Sequence, residues 1–191
     1  MVIGAVLLVS TIGILALAGD YRITGAGEAT LLISPFAEMT LVVAIEEILF
    51  RGILFRIIER SLGSWLALLL SSALFAAAHL PNAEISTLAL LLTVVAGLVL
   101  AAAYMATRRL WLAIGIHFSW NFASDAVFSL PTSGHPAVGI VKGTISGPTW
   151  LTGGAYGVEG SAISLGLFAA LGIGLLTLAV KRKHLSSAFW S

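Results

Sequence analysis

The stretch LALLLTVVAGLVLAAAY, residues 88–104, decides the fold class. It does not alternate apolar and polar residues, as a membrane β-strand does over about ten residues. It therefore reads as a helix, and it sits inside an apolar run, 85–107, of the length that crosses a bilayer (about 20 residues). Working outward, five further apolar runs cover 2–19, 31–55, 62–79, 110–128 and 162–180. Of the 191 residues, 59% are hydrophobic and 10% are charged. Soluble domains hold about 45–50% apolar and about 25% charged residues. This chain cannot bury its apolar residues and still cover a wet surface, which excludes a soluble enzyme and a disordered tail. A net charge of +1 makes no basic face, which excludes a nucleic-acid binder. With no cysteine, disulfides, thiol catalysis and Cys-ligated zinc are excluded too. The prediction is an all-α polytopic transmembrane helical bundle of about six spans, one integral membrane domain over 1–191.

Lys and Arg set the orientation of such a bundle. Arg56 and Arg60 follow the second run, Arg108 and Arg109 the fourth, and Lys181, Arg182 and Lys183 the sixth. The opposite loops hold only Arg22 and Lys142. Six spans put all three basic clusters on one side, with both termini cytoplasmic and the cell membrane as location. The first run ends in ALA (16–18), which resembles a signal-peptidase site. No Lys or Arg precedes Arg22, however, so we read a retained helix. A natural start further upstream is compatible with that reading. The loop 129–161, rich in Gly, Pro, Ser and Thr, is expected outside, with Trp150 and Tyr156 packing it. Gly166, Ala170 and Gly174 form a small-residue stripe suited to close helix contact. No internal repeat supports an inverted-repeat transporter.

A charged side chain at the bilayer centre costs about 2.5–3.5 kcal/mol on insertion scales and usually faces a cavity or partner. Here such residues cluster. The second run carries Glu38, Glu46, Glu47 and Arg51, the third ends at His79, and the fifth holds His117, Asn121 and Asp125. A shared polar site is the economical explanation. Glu47 and Arg51, four apart, share a helix face and suit an ion pair. Glu46 is rotated about 100° from Glu47 and points elsewhere. Phe75 sits one turn before His79 and shapes the pocket wall, and Asp125 continues the face of His117 and Asn121. Glu38, two turns above Glu46, is expected at a cavity or interface; His135 and His184 are expected to be solvated.

The second and third runs form an antiparallel hairpin turning near Leu62 and Gly63. Glu46 and His79 then sit at one height, about 24 Å from the turn, with His79 facing Glu46. His117 is only eight residues past Arg109, about 12 Å from the edge. Its height matches only if the hairpin projects beyond the membrane, which leaves residues 80–86 lining a cavity at depth.

Two carboxylates, two imidazoles and an amide in a dry cavity suit peptide hydrolysis. One carboxylate takes a proton from water while an imidazole and the Asn121 amide donate to the oxyanion. Alternatively Glu46, His79 and His117 are zinc ligands with Glu47 as base. No HExxH is present, since Leu80 follows His79, and neither aspartate lies in GxGD. No run carries a convincing GxSG turn.

Three motifs, EEILFR (46–51), FAAAH (75–79) and HFSWN (117–121), stand in order on separate runs. In this the chain resembles the intramembrane endopeptidases of the CAAX-protease and bacteriocin-processing group, called CPBP or Abi proteins, over about 31–128. The resemblance implies Glu46 as the water-activating glutamate. His79, His117 and Asn121 support it, and Glu47 and Arg51 orient the site. It implies hydrophobic or lipidated peptide or protein substrates within the lipid bilayer. The family has been described as glutamate-dependent and as metal-dependent; we favour the metal-free glutamate mechanism, with zinc as the alternative cofactor. The competing function is a non-enzymatic carrier or immunity scaffold that uses the buried charges for binding.

Overall fold

The computed structural model describes residues 2–188. Its axis is α5 (Thr87–Thr107), the helix that carries the uninterrupted apolar run. Side chains from Val99 to Met105 are almost wholly buried, and the alanines among them let neighbouring helices approach closely. Ser86 caps α5 by accepting from the Ala89 N–H. Gly97 lies so near α4 that a Cβ there would meet Ser72 at 3.0 Å.

The second apolar run folds as three joined pieces. Helix α2 (Ile33–Glu47) passes into a π-helical segment (Ile48–Leu54) and then into α3 (Phe55–Leu62) without leaving helical dihedrals. Gly63 makes the turn at φ 81°, a left-handed value that favours glycine. Helix α4 (Ser64–Ala78) then returns antiparallel to α3. Helix α6 (Leu110–Phe122) also runs into a π-helical turn, Ala123–Val127. Helix α1 (Ile3–Ala18) packs on α6 and on the last helix. Gly4 sits against the Ile116 carbonyl, which an added Cβ would meet at 2.1 Å.

Two features depart from the expectation. First, the fold is mainly but not wholly helical. Strand β1 (Tyr21–Ala26) pairs antiparallel with β2 (Val141–Ile145), Tyr21 opposite Ile145 and Ala26 opposite Val141. This pairing joins segments more than 100 residues apart, which no local pattern signals. A short helix, α7 (Thr149–Thr152), and two 3₁₀ turns follow before α8 (Ala162–Lys181). Second, the Gly166, Ala170 and Gly174 stripe of α8 faces outward, with nothing within 4 Å of a Cβ at either glycine. Helix α8 meets α5 through Phe168, Gly172 and Leu175 instead, and Gly172 lies against Val99. Spacing alone had not distinguished the two faces.

Helices α5 and α8 are each long and apolar enough to cross a membrane, and α1 and α4 are shorter apolar helices. The three basic clusters lie at one end of the bundle. Arg108 Nη1 donates to Glu59 Oε2 at 2.6 Å, and its Nη2 donates to the His184 carbonyl. Burial opposes the Arg108 charge, but its hydrogen bond and attraction to Glu59 hold its pKa above the ordinary value. Ser64 Oγ donates to Glu59 Oε1, and the Ser186 N–H donates to Ser64 Oγ. Arg182 Nη1 donates to the Ala106 carbonyl at 2.9 Å. His184 is therefore packed rather than solvated: its Nδ1 lies 3.1 Å from the Met105 carbonyl.

Candidate active site

The site begins with a buried ion pair. Glu47 and Arg51 are both fully buried, one turn apart, with Arg51 Nη1 donating to Glu47 Oε1 at 2.9 Å. Arg51 Nη2 donates to the Gly97 carbonyl at 3.1 Å, so the guanidinium ties the π-helical segment to α5. Its carbon lies 4.4 Å from the centre of the Phe75 ring, a cation–π contact. Phe75 also packs edge-on against Phe50 and lies beside His79 and His117, ring centres 4.5 and 6.0 Å away.

Glu47 Oε1 makes a second contact, with His117 Nδ1 at 2.9 Å. A carboxylate only accepts, so Nδ1 carries the proton and Nε2 is turned to the other side of the ring. There it lies 3.7 Å from Glu46 Oε2. The two adjacent glutamates thus meet opposite edges of one imidazole. Glu47 is shut in, whereas the Glu46 side chain is 28% exposed and lines an open cleft. His79 is oriented likewise: its Nδ1 lies 2.8 Å from the Phe75 carbonyl, which leaves Nε2 for the cleft.

The cleft holds about 430 Å³. Glu38, Met39, Val42 and Glu46 of α2 form one wall, and Ala78, His79 and Asn82 form another. The third comes from His117, Asn121 and Asp125, with Thr132, Ser133, His135 and Pro136 at the rim. The structure thus brings Glu46, His79, His117 and Asn121 to one cavity, with Glu47, Arg51 and Phe75 behind it. His79 shares the cleft with Glu46 but does not contact it; His117 does. At the far end of the hairpin the Glu59 carboxylate meets both Ser64, next to the Gly63 turn, and Arg108 of the α5–α6 turn. Asn82, from the segment after His79, also lines the cleft.

Sequence reasoning missed Glu159. Buried between α5 and the outer loop, its Oε1 accepts from Trp120 Nε1 at 2.9 Å. Its Oε2 accepts from the Ser133 N–H and from Ser133 Oγ, which pins the rim of the cleft. Glu159 and Ser133 also line a small cavity of about 40 Å³ behind His79 and His117. The only available signal was a lone acid in a Gly-rich loop. Burial, then the Glu159 charge, raises the pKa of the neighbouring Tyr156 phenol, keeping it neutral. Tyr156 packs the loop as expected, whereas Trp150 is largely exposed. His135 is exposed, but it stands at the cleft rim.

Among the described residues, no three His, Asp or Glu side chains are placed to hold one ion. We derive no step through zinc.

No curated protein and no solved structure matches the chain. A family model described as type II CAAX prenyl endopeptidase Rce1-like matches residues 28–123, which include all three motifs and every helix that bears a motif residue. That match spans half of the chain and ends at the π-helical turn after Asn121. The family is one of membrane-embedded CAAX-type endopeptidases, and the chain belongs to it.

Proposed function

We propose that the protein is an intramembrane glutamate peptidase acting on hydrophobic or lipidated peptides or proteins. In this reading six helical segments cross the cell membrane, with the basic end and both termini cytoplasmic. Water bound in the cleft gives a proton to Glu46 and attacks the scissile carbonyl. The Asn121 amide donates to the oxyanion, and His79, its Nδ1–H held by the Phe75 carbonyl, presents the Nε2 lone pair to the cleft, where it accepts from the attacking water. The tetrahedral intermediate collapses, the C–N bond breaks, and the proton on Glu46 passes to the leaving amine. Glu47 fixes the His117 tautomer and so turns the Nε2 lone pair toward Glu46, on the side where that carboxylate takes up its proton. Arg51 balances the Glu47 charge, so that this carboxylate does not compete as base.

The observation that carries the reading is the division between the two glutamates. Glu46 faces the cleft 3.7 Å from His117 Nε2, while Glu47 is buried against Arg51. The test is cleavage of quenched fluorescent hydrophobic and prenylated peptides by the purified protein in detergent. Glu46→Gln should lower kcat by about 10²–10⁴-fold, the typical contribution of a general base, with unchanged helicity and melting temperature. Wild-type rates in Glu46→Gln, or no cleavage by wild type across a broad peptide set, would overturn it.

A further inference from the structure

Behind the two histidines the small cavity of about 40 Å³ has room for one or two waters, at roughly 30 Å³ each. A cavity of this size with apolar walls stays dry, whereas one with two to four polar groups holds water. Its apolar lining comes from α5, α6 and α8, with Trp120 standing edge-on to Phe168 at 4.7 Å. Thr93, Ser133 and Glu159 supply polar lining, and His79, His117 and Asn121 border it too. Thr93 Oγ1 donates to the Ala89 carbonyl and Ser133 Oγ to Glu159 Oε2. Each hydroxyl therefore keeps lone pairs that accept from water.

A buried polar group without a partner stands at the same place. Tyr156 is 1% exposed, and its hydroxyl makes no hydrogen bond. Asn82, Thr93 and Ser133 stand around that hydroxyl, none of them in bonding geometry. A water between the phenol and Thr93 or Ser133, which both line the cavity, removes the cost of leaving it unpaired. The cavity is also set apart from substrate. It shares His79, His117, Asn121 and Ser133 with the cleft, but α2 forms a wall of the cleft, whereas the cavity lies between α5, α6 and α8. A hydrophobic segment filling the cleft expels water from beside Glu46, and the bilayer core supplies none.

We infer that the small cavity is a water site that feeds hydrolysis from behind the histidines. Its water passes between His79 and His117 to Glu46 while substrate occupies the cleft. The binding of water rests on the geometry of the cavity; its use rests also on the peptidase reading.

X-ray radiolysis makes hydroxyl radicals from water in place and so oxidises buried side chains that touch it. In lipid nanodiscs the wild-type protein should be oxidised at Trp120 and Phe168, which are 3% exposed and line the cavity. Phe55, fully buried against Tyr104, should stay unmodified. Ala96→Leu fills the cavity from α5, and Thr93→Val removes a hydroxyl at nearly constant volume. Each should bring Trp120 and Phe168 down to the level of Phe55 and lower kcat with KM unchanged, at little change in melting temperature. Should Ala96→Leu melt early, Thr93→Val decides alone. Wild-type oxidation of Trp120 and Phe168 no higher than that of Phe55 would overturn the water site. Lost oxidation with a wild-type kcat would overturn its role in supply. A KM that rises in Ala96→Leu with the size of one substrate side chain would show that this side chain, not water, fills the cavity. The expected oxidation without cleavage by wild type supports the water site and overturns the peptidase reading.

Discussion

Arg51 is the residue on which the site turns. One guanidinium contacts Glu47, the Gly97 carbonyl and the Phe75 ring, so it joins three helical segments and sets the charge behind His117. Removing one partner of a buried pair leaves an uncompensated charge, at about 3–5 kcal/mol, whereas replacing both by apolar residues is often neutral. Arg51→Leu should therefore lower stability by about 3–5 kcal/mol in detergent melting or denaturant titration. The Glu47→Leu, Arg51→Leu double variant should recover most of that loss. It should remain inactive, because His117 Nδ1 has lost the acceptor that fixes its tautomer. A double variant as unstable as the single one would refute the pairing account. Arg51→Lys should restore charge but only part of the stability, since a point charge cannot span Glu47 and Gly97 together.

At the scale of elements, α6 presents His117 and Asn121, and its placement depends on a glycine in a different helix. A Cβ at Gly4 would meet the Ile116 carbonyl at 2.1 Å, one residue from His117. Gly4→Ala must push α1 and α6 apart, and overpacking of this kind costs about 1–3 kcal/mol. The expected outcome is a lower melting temperature together with a fall in kcat; Gly13→Ala, with nothing within 4 Å, should change neither. An unchanged kcat in Gly4→Ala would show that α1 does not set the height of α6. The hairpin at Gly63 and the Glu47–Arg51 face were legible in the sequence, because both follow from helical periodicity and a turn residue. The π-helical register of Ile48–Leu54 was not: one extra residue per turn leaves no local signature in an apolar run. Glu159 was equally hidden, since its partners Trp120 and Ser133 are 39 and 26 residues away. What could be read was local pattern; what could not depended on distant packing.

At the scale of the whole molecule, the basic end is a clamp. Glu59 holds Arg108 and Ser64, and Arg108 and Ser64 in turn hold the segment after α8 through His184 and Ser186. Glu59→Ala leaves a half-buried guanidinium without its carboxylate, a loss of about 1–3 kcal/mol. It should release that segment, read as faster tryptic cleavage after residues 181–183, with peptide hydrolysis little changed because the cleft lies at the other end. Tryptic cleavage at the wild-type rate would show that the clamp does not hold the segment. Phe50, Phe75 and the Glu47–Arg51 pair, all buried, form a floor beneath the cleft, and in the peptidase reading that floor bears on traffic through the molecule. A chamber with one mouth is a cul-de-sac: both halves of a cut peptide must leave as the intact one entered. The fragment nearer the floor departs last, so it is the natural competitive inhibitor.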